Sequence, residues 1–189
     1  MNVVEAIYAR RAVRAYQPRM VDEPTLRLLL AAAVQAPSAM NQQPWLFSVV
    51  QDTAQLKRYS DRAKEMLLSV TVADAKGAHY RGLLETPSFN IFYDAATLVV
   101  ISVSARGPYS DADCWLAAEN LMLAACDSGL GSCCIGFAVP VLNEPEVKAE
   151  LGLGPSAVAI APIILGYPAT ATANIARGAP NIVAWMHAK

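Results

Sequence analysis

Histidine and charged side chains are scarce in this chain of 189 residues. Its two histidines, His79 and His187, share no ligand spacing with the cysteines, so a metal site is not predicted. Charged residues make up only 16% of the composition and the net charge is −1, which leaves no electrostatic basis for binding nucleic acid. A Ser/His/Asp set and a paired-carboxylate motif are also missing, so we nominate no catalytic acid or base.

Long apolar runs and secretion signals are missing as well. Residues 116–142, the most apolar region, are interrupted by Glu119, Asn120 and Asp127, which argues against a membrane-spanning helix. Glu5 comes early and no long apolar run precedes Arg10, so a signal peptide is not expected. The four cysteines lie in apolar surroundings and are expected to be reduced, buried thiols of a cytoplasmic protein: Cys114, Cys126, Cys133 and Cys134.

Apolar residues are abundant, at 54% of the sequence. That share can fill a large core in one domain of this length. Because few charges remain for the exterior, part of the surface is expected to be buried in an oligomer.

Apolar periodicity and capping residues predict helices interleaved with strands. Helices are expected over residues 2–9, 22–36, 53–72, 111–128 and 143–152, and strands over 45–50, 96–104, 132–139 and 157–165. Asn2 and Asp22 are predicted N-caps, and Asn143 with Glu146 has capping-box spacing. Pro162 indicates an edge or a bulge in the last strand. Residues 71–90 are interpreted as a loop or a loosely helical excursion. This order predicts a layered α/β or α+β domain.

Three segments carry most of the chemistry, and the first is basic. Arg10, Arg11 and Arg14 place three guanidinium groups within five residues. Paired guanidinium donors match phosphate geometry, and clustered arginines repel one another unless an anion lies between them. The alternative is a solvated basic patch.

The second segment is a polar turn, residues 36–45, between an apolar helix and an apolar strand. Ser38, Asn41, Gln42 and Gln43 supply uncharged donors and acceptors, which suit the edge of a neutral heterocycle. The alternative is a turn whose side chains satisfy their own backbone.

The third segment, Gly-Leu-Gly-Ser-Cys-Cys-Ile-Gly at residues 129–136, is a glycine-rich turn into an apolar strand. It lacks the third glycine of a Rossmann fingerprint, so a separate dinucleotide site is not predicted. A redox pair of Cys133 and Cys134 is a rival interpretation, but no neighbouring base would activate either thiol.

Together the three segments resemble the nitroreductase family of FMN-dependent oxidoreductases. Family members carry an RRSxR-like motif, a PSxxNxQPW-like turn and a GLGSCWIG-like segment in this order, and the resemblance runs from about Val3 to Tyr167. It implies a nitroreductase-like α+β fold: a mostly antiparallel central sheet flanked by helices, in an intertwined homodimer. Residues 1–189 would form a single FMN-binding domain. Residues 71–93 would be a variable excursion near the active site, and the tail, about 168–189, would cross to the partner with Trp185 as anchor.

The resemblance also implies residues that bind the FMN phosphate. Arg10, Arg11 and Arg14 would contact it, joined by Arg177 from the C-terminal tail. Ala12 stands where family members commonly have serine, so only its backbone N–H would donate.

The polar turn would reach the same cofactor. Pro37, Ser38 and Ala39 would line its phosphate and ribityl end from the partner subunit. Asn41 and Gln43 would face the flavin ring and the ribityl chain.

The third segment would run beside the ring. Backbone N–H groups of Ile135 and Gly136 would point at flavin N5 and O4, where fixed amide dipoles stabilise the electron density of the reduced ring. Phe137 would lie next to them, and Cys134 replaces a frequent tryptophan.

The activity implied is transfer of hydride from NADH or NADPH through FMN to a small aromatic oxidant, such as a nitroaromatic or a quinone, by a ping-pong mechanism. Phe89, Phe92 and Tyr93 are candidates to stack on that substrate, or alternatively anchors of the excursion. Other interpretations are a different reaction of the same fold (dehalogenase-like or dehydrogenase-like), a non-enzymatic FMN-binding protein, and a dimeric scaffold without cofactor.

Overall fold

The computed structural model describes residues 1–70, 75–173 and 175–187, with residues 75–79 as backbone only. In these ranges the helices are α1 (Val3–Ala9), α2 (Glu23–Ala33), α3 (Thr53–Val70), α4 (Ala75–Glu85), α5 (Ser110–Asp127), α6 (Val139–Leu142) and α7 (Pro145–Glu150). The strands are β1 (Trp45–Val50), β2 (Thr97–Val103), β3 (Gly131–Cys134) and β4 (Val158–Gly166). Short 3-10 turns cover Ala39–Asn41 and Gly136–Ala138.

The sheet has the order β1-β2-β4-β3, and every neighbouring pair is antiparallel. All seven residues of β2 are buried, because helices cover both faces. Alternate β2 side chains enter two cores. Val99 and Ile101 pack with α2 and α5 on one face, whereas Leu98 and Val100 pack with α3 and α6 on the other. The predicted α+β class with a mostly antiparallel sheet is confirmed.

Local capping fixes two helix starts as predicted. The Asn2 side chain accepts from the N–H of Glu5 and the Glu5 carboxylate accepts from the N–H of Asn2, a complete capping box. The Asp22 carboxylate accepts from the N–H of Thr25 at the start of α2. These caps involve residues three positions apart, which is why the sequence reveals them.

In the C-terminal half one prediction is wrong, and of the two alternatives given for Pro162 one is excluded and the other is observed. Asn143 does not cap a helix; its side chain donates to the carbonyls of Val139 and Ala159 and accepts from the N–H of Ala159. Pro162 is not on an edge strand, because β4 pairs with both β2 and β3. The alternative, a bulge, is observed: the β2–β4 register shifts between Ile101 and Ser102.

Two element boundaries also differ from the expectation. β3 ends at Cys134 instead of 139, since the chain turns into the 3-10 segment at Gly136. The excursion contains a regular helix, α4, after residues 71–74, which lie outside the described residues. None of the described helices is long and apolar enough to cross a membrane.

The start of the C-terminal tail is held against the N-terminal segment. Tyr16 forms a bridge with Pro168, and the N–H groups of Gln17 and Ala169 donate to the carbonyls of Tyr167 and Ala15 at 2.8 and 2.9 Å. Beyond this point the described tail, residues 170–173 and 175–187, is exposed and has neither helix nor strand.

Candidate functional site

The basic segment lies against β3. Ala12 forms a parallel bridge with Ser132, and the N–H of Val13 donates to the Ser132 carbonyl at 3.0 Å. The approach requires glycine at Gly131, because a Cβ there would lie 2.6 Å from Val13 Cγ2. β3 thereby fixes the position of the arginines on either side of Val13.

Arg10, Arg11 and Arg177 meet at one cleft of about 560 Å³, here called the arginine cleft. The remaining lining residues are Ile7, Tyr8, Glu119, Ile175 and Ala176. Arg10 Nε lies 3.4 Å from Glu119 Oε1, and Arg11 Nη1 donates to the Arg10 carbonyl at 2.7 Å. Three guanidinium groups with one carboxylate make the cleft net positive, so it suits an anion.

A second cleft, of about 470 Å³, continues from the first and shares Arg10 and Glu119 with it. This central cleft is otherwise lined by Ala12, Arg14, Trp115, Met122, Cys133 and Cys134. Its wall on the β3 side is made by the two cysteines, and Cys134 Sγ lies 3.6 Å from Met122 Sδ.

A third cleft, of about 460 Å³, shares Arg14, Cys133 and Cys134 with the central cleft. This aromatic cleft is completed by Tyr80, Leu83, Ile91, Tyr93, Ile135, Gly136 and Phe137. Phe137 packs edge-on against Tyr80, with ring centroids 5.6 Å apart. The three clefts therefore follow one another from an anion-binding end to an apolar, aromatic end.

The backbone at the aromatic cleft offers a different set of donors from the one expected. The N–H of Ile135 donates to the Pro162 carbonyl at 2.9 Å and is not available to a ligand. Gly136 and Phe137 open a 3-10 turn, and their N–H groups have no acceptor among the described residues. A Cβ at Gly136 would meet nothing within 4 Å in the part of the chain that the structure describes, so this backbone faces open space there.

The three aromatic residues predicted to stack on the substrate lie in different environments. Phe92 is 0% exposed and belongs to the core, so its assignment to a substrate pocket is wrong. Phe89 packs edge-on against Tyr93, with ring centroids 5.7 Å apart. Tyr93 lines the aromatic cleft, and its ring lies 5.7 Å from the Arg14 guanidinium carbon. Tyr93 has a φ of 53°, a left-handed conformation that favours glycine.

The thiols at these clefts are not activated. Burial, and secondarily the neighbouring Cys133, raises the pKa of the Cys134 thiol to about 11. Burial likewise raises the pKa of the Cys133 thiol. Both thiols stay protonated at neutral pH, which argues against a redox pair.

The polar turn, residues 37–43, lies elsewhere in this chain and lines none of the three clefts. Its Ser38 Oγ accepts from the N–H of Gln43 at 2.9 Å, and Gln43 Nε2 donates to Asn41 Oδ1 at 3.0 Å. Met40, Asn41 and Gln43 have φ values of 52°, 53° and 48°. Asn41 and Gln43 are nevertheless exposed, and so is Pro37. Some of the polar groups of the turn therefore bond to one another, as expected from the alternative that the turn satisfies its own backbone.

Several lining residues were not anticipated from the sequence. Trp115, Glu119 and Met122 lie on α5, where an apolar, alanine-rich pattern gives no sign of which face borders a cleft. Tyr80 lies on α4, inside the region of weak periodicity. The helical spacing of Trp115, Glu119 and Met122, four and three residues apart, could have placed them on one face.

The chain is similar to known proteins over most of its length. The sequence model of the Nitroreductase family matches residues 7–167. An NADH dehydrogenase of Thermus thermophilus is 31% identical over 186 residues, covering 89% of this chain and 88% of that protein. An iodotyrosine deiodinase of Thermotoga neapolitana is 29% identical over 167 residues, covering 84% of each chain. The crystal structure of a nitroreductase with bound FMN from Bacteroides fragilis has a TM-score of 0.82 and 29% identity, with 98% of both chains covered.

Proposed function

Because the chain belongs to the nitroreductase family, we propose that it is an FMN-dependent oxidoreductase. Its reductant is NADH or NADPH, and its oxidant is a small aromatic molecule such as a nitroaromatic or a quinone. The observation that carries the proposal is the joining of the arginine cleft to the aromatic cleft through shared lining residues. A positively charged cleft that continues into an apolar, aromatic cleft matches a ligand with a phosphate at one end and a planar ring at the other.

The residues present fit FMN at its phosphate end. Arg10, Arg11 and Arg177 would hold the phosphate with charge-assisted hydrogen bonds. Ala12 supplies no hydroxyl, so the phosphate depends more heavily on the guanidinium groups. Arg14 lines the central and aromatic clefts but not the arginine cleft, which favours contact with the ring end over the phosphate.

The aromatic cleft, where the flavin ring would bind, offers backbone N–H donors and is lined by thiol and aromatic side chains. The N–H groups of Gly136 and Phe137 would stabilise the electron density of the reduced ring without reorganisation. Cys133 and Cys134 form the wall on the β3 side, and Tyr93 also lines the cleft. When held by these residues, FMN would supply the hydride-transfer chemistry between the nicotinamide and the second substrate. The protein binds and orients the cofactor, which agrees with the lack of an acid–base motif.

The site is completed by a second copy of the chain. In one chain the polar turn, residues 37–43, lines none of the three clefts, and its Asn41 and Gln43 are exposed. Ile182, Val183, Trp185 and Met186 of the tail are exposed, as an apolar segment that packs on a partner would be when alone. A homodimer would bury this tail and bring the turn's Asn41 and Gln43 to the partner's flavin.

A second candidate keeps FMN and changes the reaction. It is favoured by the relative named iodotyrosine deiodinase, which is 29% identical to this chain. A non-enzymatic FMN-binding role would give a flavin that NADH and NADPH do not reduce.

The test is the visible absorption spectrum of the FMN-loaded protein before and after anaerobic NADH or NADPH. Bleaching of the flavin is expected, followed by reoxidation with a nitroaromatic or a quinone. Reoxidation only by a halogenated phenol would favour the deiodinase-like reaction, and a flavin that never bleaches would favour a binding role. A colourless protein that cannot be loaded with FMN would refute the proposal.

The phosphate contact has its own test. Arg11→Gln and Arg177→Gln should each weaken FMN binding roughly tenfold or more, because a hydrogen bond to a charged group contributes about 1.5–3 kcal/mol. Their affinity for riboflavin, which lacks the phosphate, should not change. The control is Arg27→Gln, an exposed arginine paired with Glu23 on α2. Equal losses for FMN and riboflavin would place these arginines away from the phosphate.

A further inference from the structure

We propose that Asp113 is a positioning residue that holds the polar turn in the conformation in which Asn41 and Gln43 contact the flavin. The role rests on the proposed function, which gives the turn its ligand. It is separate from the binding residues, because Asp113 itself lines none of the three clefts.

Asp113 lies in the first turn of α5 and is only 4% exposed. Its Oδ1 accepts the N–H of Ala39 at 3.1 Å. Ala39 opens the 3-10 segment of the turn, so its N–H has no acceptor within that segment. Ser38, the preceding residue, does not cap it, because the Ser38 hydroxyl accepts from Gln43 instead. The cap is therefore supplied by a helix 74 residues further along the chain.

The turn needs such an external contact because its backbone is strained. Met40, Asn41 and Gln43 occupy the left-handed region with φ near 50°, and none of them is glycine. Such conformations persist only where surrounding contacts hold them. The other hydrogen bonds made by residues 37–43 in the described part of the chain are internal to the turn. Asp113 is thus the polar contact that attaches this strained segment to the fold.

The helix that carries Asp113 also reaches the basic segment. Glu119 lies six positions further along α5, about 9 Å along the axis at 1.5 Å per residue. Its carboxylate is the one that lies 3.4 Å from Arg10. One rigid helix therefore sets the position of the turn relative to the arginines. In a dimer it would couple the turn that serves one flavin to the arginine cleft that serves the other.

The experiment compares FMN dissociation constants, measured by quenching of flavin fluorescence, for the wild-type chain and four single variants, and then for Asp113→Ala in a doubly substituted background. Asp113→Ala removes the acceptor, whereas Asp113→Asn keeps a neutral oxygen acceptor at the same place. Ala39→Pro removes the donor and suits the first position of the segment, because Ser38 is extended with ψ at 153°. Asp111→Asn is the matched control: it lies on the same helix turn, but it is exposed and pairs with Arg106 at 3.0 Å.

Asp113→Ala and Ala39→Pro are each expected to weaken FMN binding about tenfold or more, the loss of one charge-assisted hydrogen bond. Asp113→Asn should recover most of that affinity, and Asp111→Asn should bind as the wild type does. In a chain that already carries Asn41→Ala and Gln43→Ala, adding Asp113→Ala should cause little further loss. A merely structural role would cost the same in both backgrounds.

Wild-type affinity in Asp113→Ala, or a loss that persists in the Asn41→Ala/Gln43→Ala background, would overturn the role of Asp113. Should Asp113→Ala fail to fold, Ala39→Pro breaks the same bond from the other side, and it is compared with Asp111→Asn and repeated in the Asn41→Ala/Gln43→Ala background. A lost contact between Ala39 and the cofactor would cost the same in both backgrounds, whereas loss of the Asp113 bond should cost little in the second. Failure of FMN to bind the wild type would refute the proposed function instead. The two failures are therefore distinguished by the wild-type measurement.

Discussion

A methyl group added at Gly136 separates the requirements of the fold from those of the cofactor site. The Cβ of Gly136→Ala would meet no atom of the described residues within 4 Å, and Gly136 does not occupy the left-handed region. The native backbone is therefore compatible with alanine. At the same time the methyl would stand in the aromatic cleft, beside the N–H that would face the flavin.

Gly136→Ala should stabilise the cofactor-free protein but weaken FMN binding. Replacing glycine by alanine at a compatible position stabilises a protein by about 0.4–1 kcal/mol through the unfolded chain. For a chain of this size that corresponds to a rise in Tm of about 1–4 °C in the cofactor-free protein. A flavin ring packed against Gly136 would instead collide with the methyl. An overpacking cost of about 1–3 kcal/mol corresponds to FMN binding about 5- to 150-fold weaker.

Calorimetry of the cofactor-free protein and titration with FMN measure the two effects on one sample. Gly154→Ala is the matched control, because a Cβ at Gly154 also meets nothing within 4 Å but lies outside the clefts. It should raise Tm similarly and leave FMN affinity unchanged. Unchanged FMN affinity in Gly136→Ala would show that the ring does not approach this backbone. A clear fall in its Tm would show that the space at Gly136 is needed by the fold.

Three further outcomes follow from contacts elsewhere. Gly131→Ala should lower Tm by about 2–12 °C, which corresponds to an overpacking cost of about 1–3 kcal/mol. Val13→Ala should not rescue it, because Val13 Cβ itself would lie 2.7 Å from the new methyl, and full rescue would contradict this. The rate at which iodoacetamide alkylates Cys134, followed by peptide mass spectrometry, should rise about 100-fold from pH 7 to pH 9, because the pKa of this thiol is about 11. A rate that does not change with pH would favour the redox interpretation. Glu150 accepts from Arg58 and Tyr59, and Arg58 foremost lowers its pKa to about 2. The Glu150 carboxylate stabilises the fold above its ordinary pKa of 4.5, and this stabilisation is lost as the pH falls towards 2. The difference in the free energy of unfolding by urea between the wild type and Glu150→Gln should therefore shrink to zero over that range. A difference that stays constant with pH would refute the assignment.

Prediction from the sequence succeeded where the determining contacts are local. The capping box of Asn2 with Glu5 involves positions three apart, and the continuous apolar run of β2 marks a strand buried on both faces. It failed at Asn143, whose partner Ala159 is 16 residues away. A capping-box spacing cannot reveal that a distant backbone segment competes for the same side chain.

The candidate site shows the same division. The basic segment was recognisable by residue type, and the fold brings Arg177 to the cleft of Arg10 and Arg11. The aromatic candidates were chosen by proximity in sequence, which does not say where a side chain points. Phe92 and Tyr93 are adjacent, yet one is in the core and the other lines the aromatic cleft, because the left-handed backbone at Tyr93 redirects the chain.

The hydrogen-bond donors at the ring end show why residue types transfer from a resemblance more readily than roles do. Ile135 and Gly136 were both expected to offer N–H groups, but only the sheet register decides which of them is available. Pro162 stands opposite the end of β3 in the antiparallel pair, and its carbonyl takes the N–H of Ile135 at 2.9 Å. Under the proposed function, the N–H groups that would face the ring are therefore those of Gly136 and Phe137, one residue further along the chain. The bulge of β4 lies in its pairing with β2, whereas the β3–β4 register is regular, and this regular register brings the Pro162 carbonyl to the N–H of Ile135.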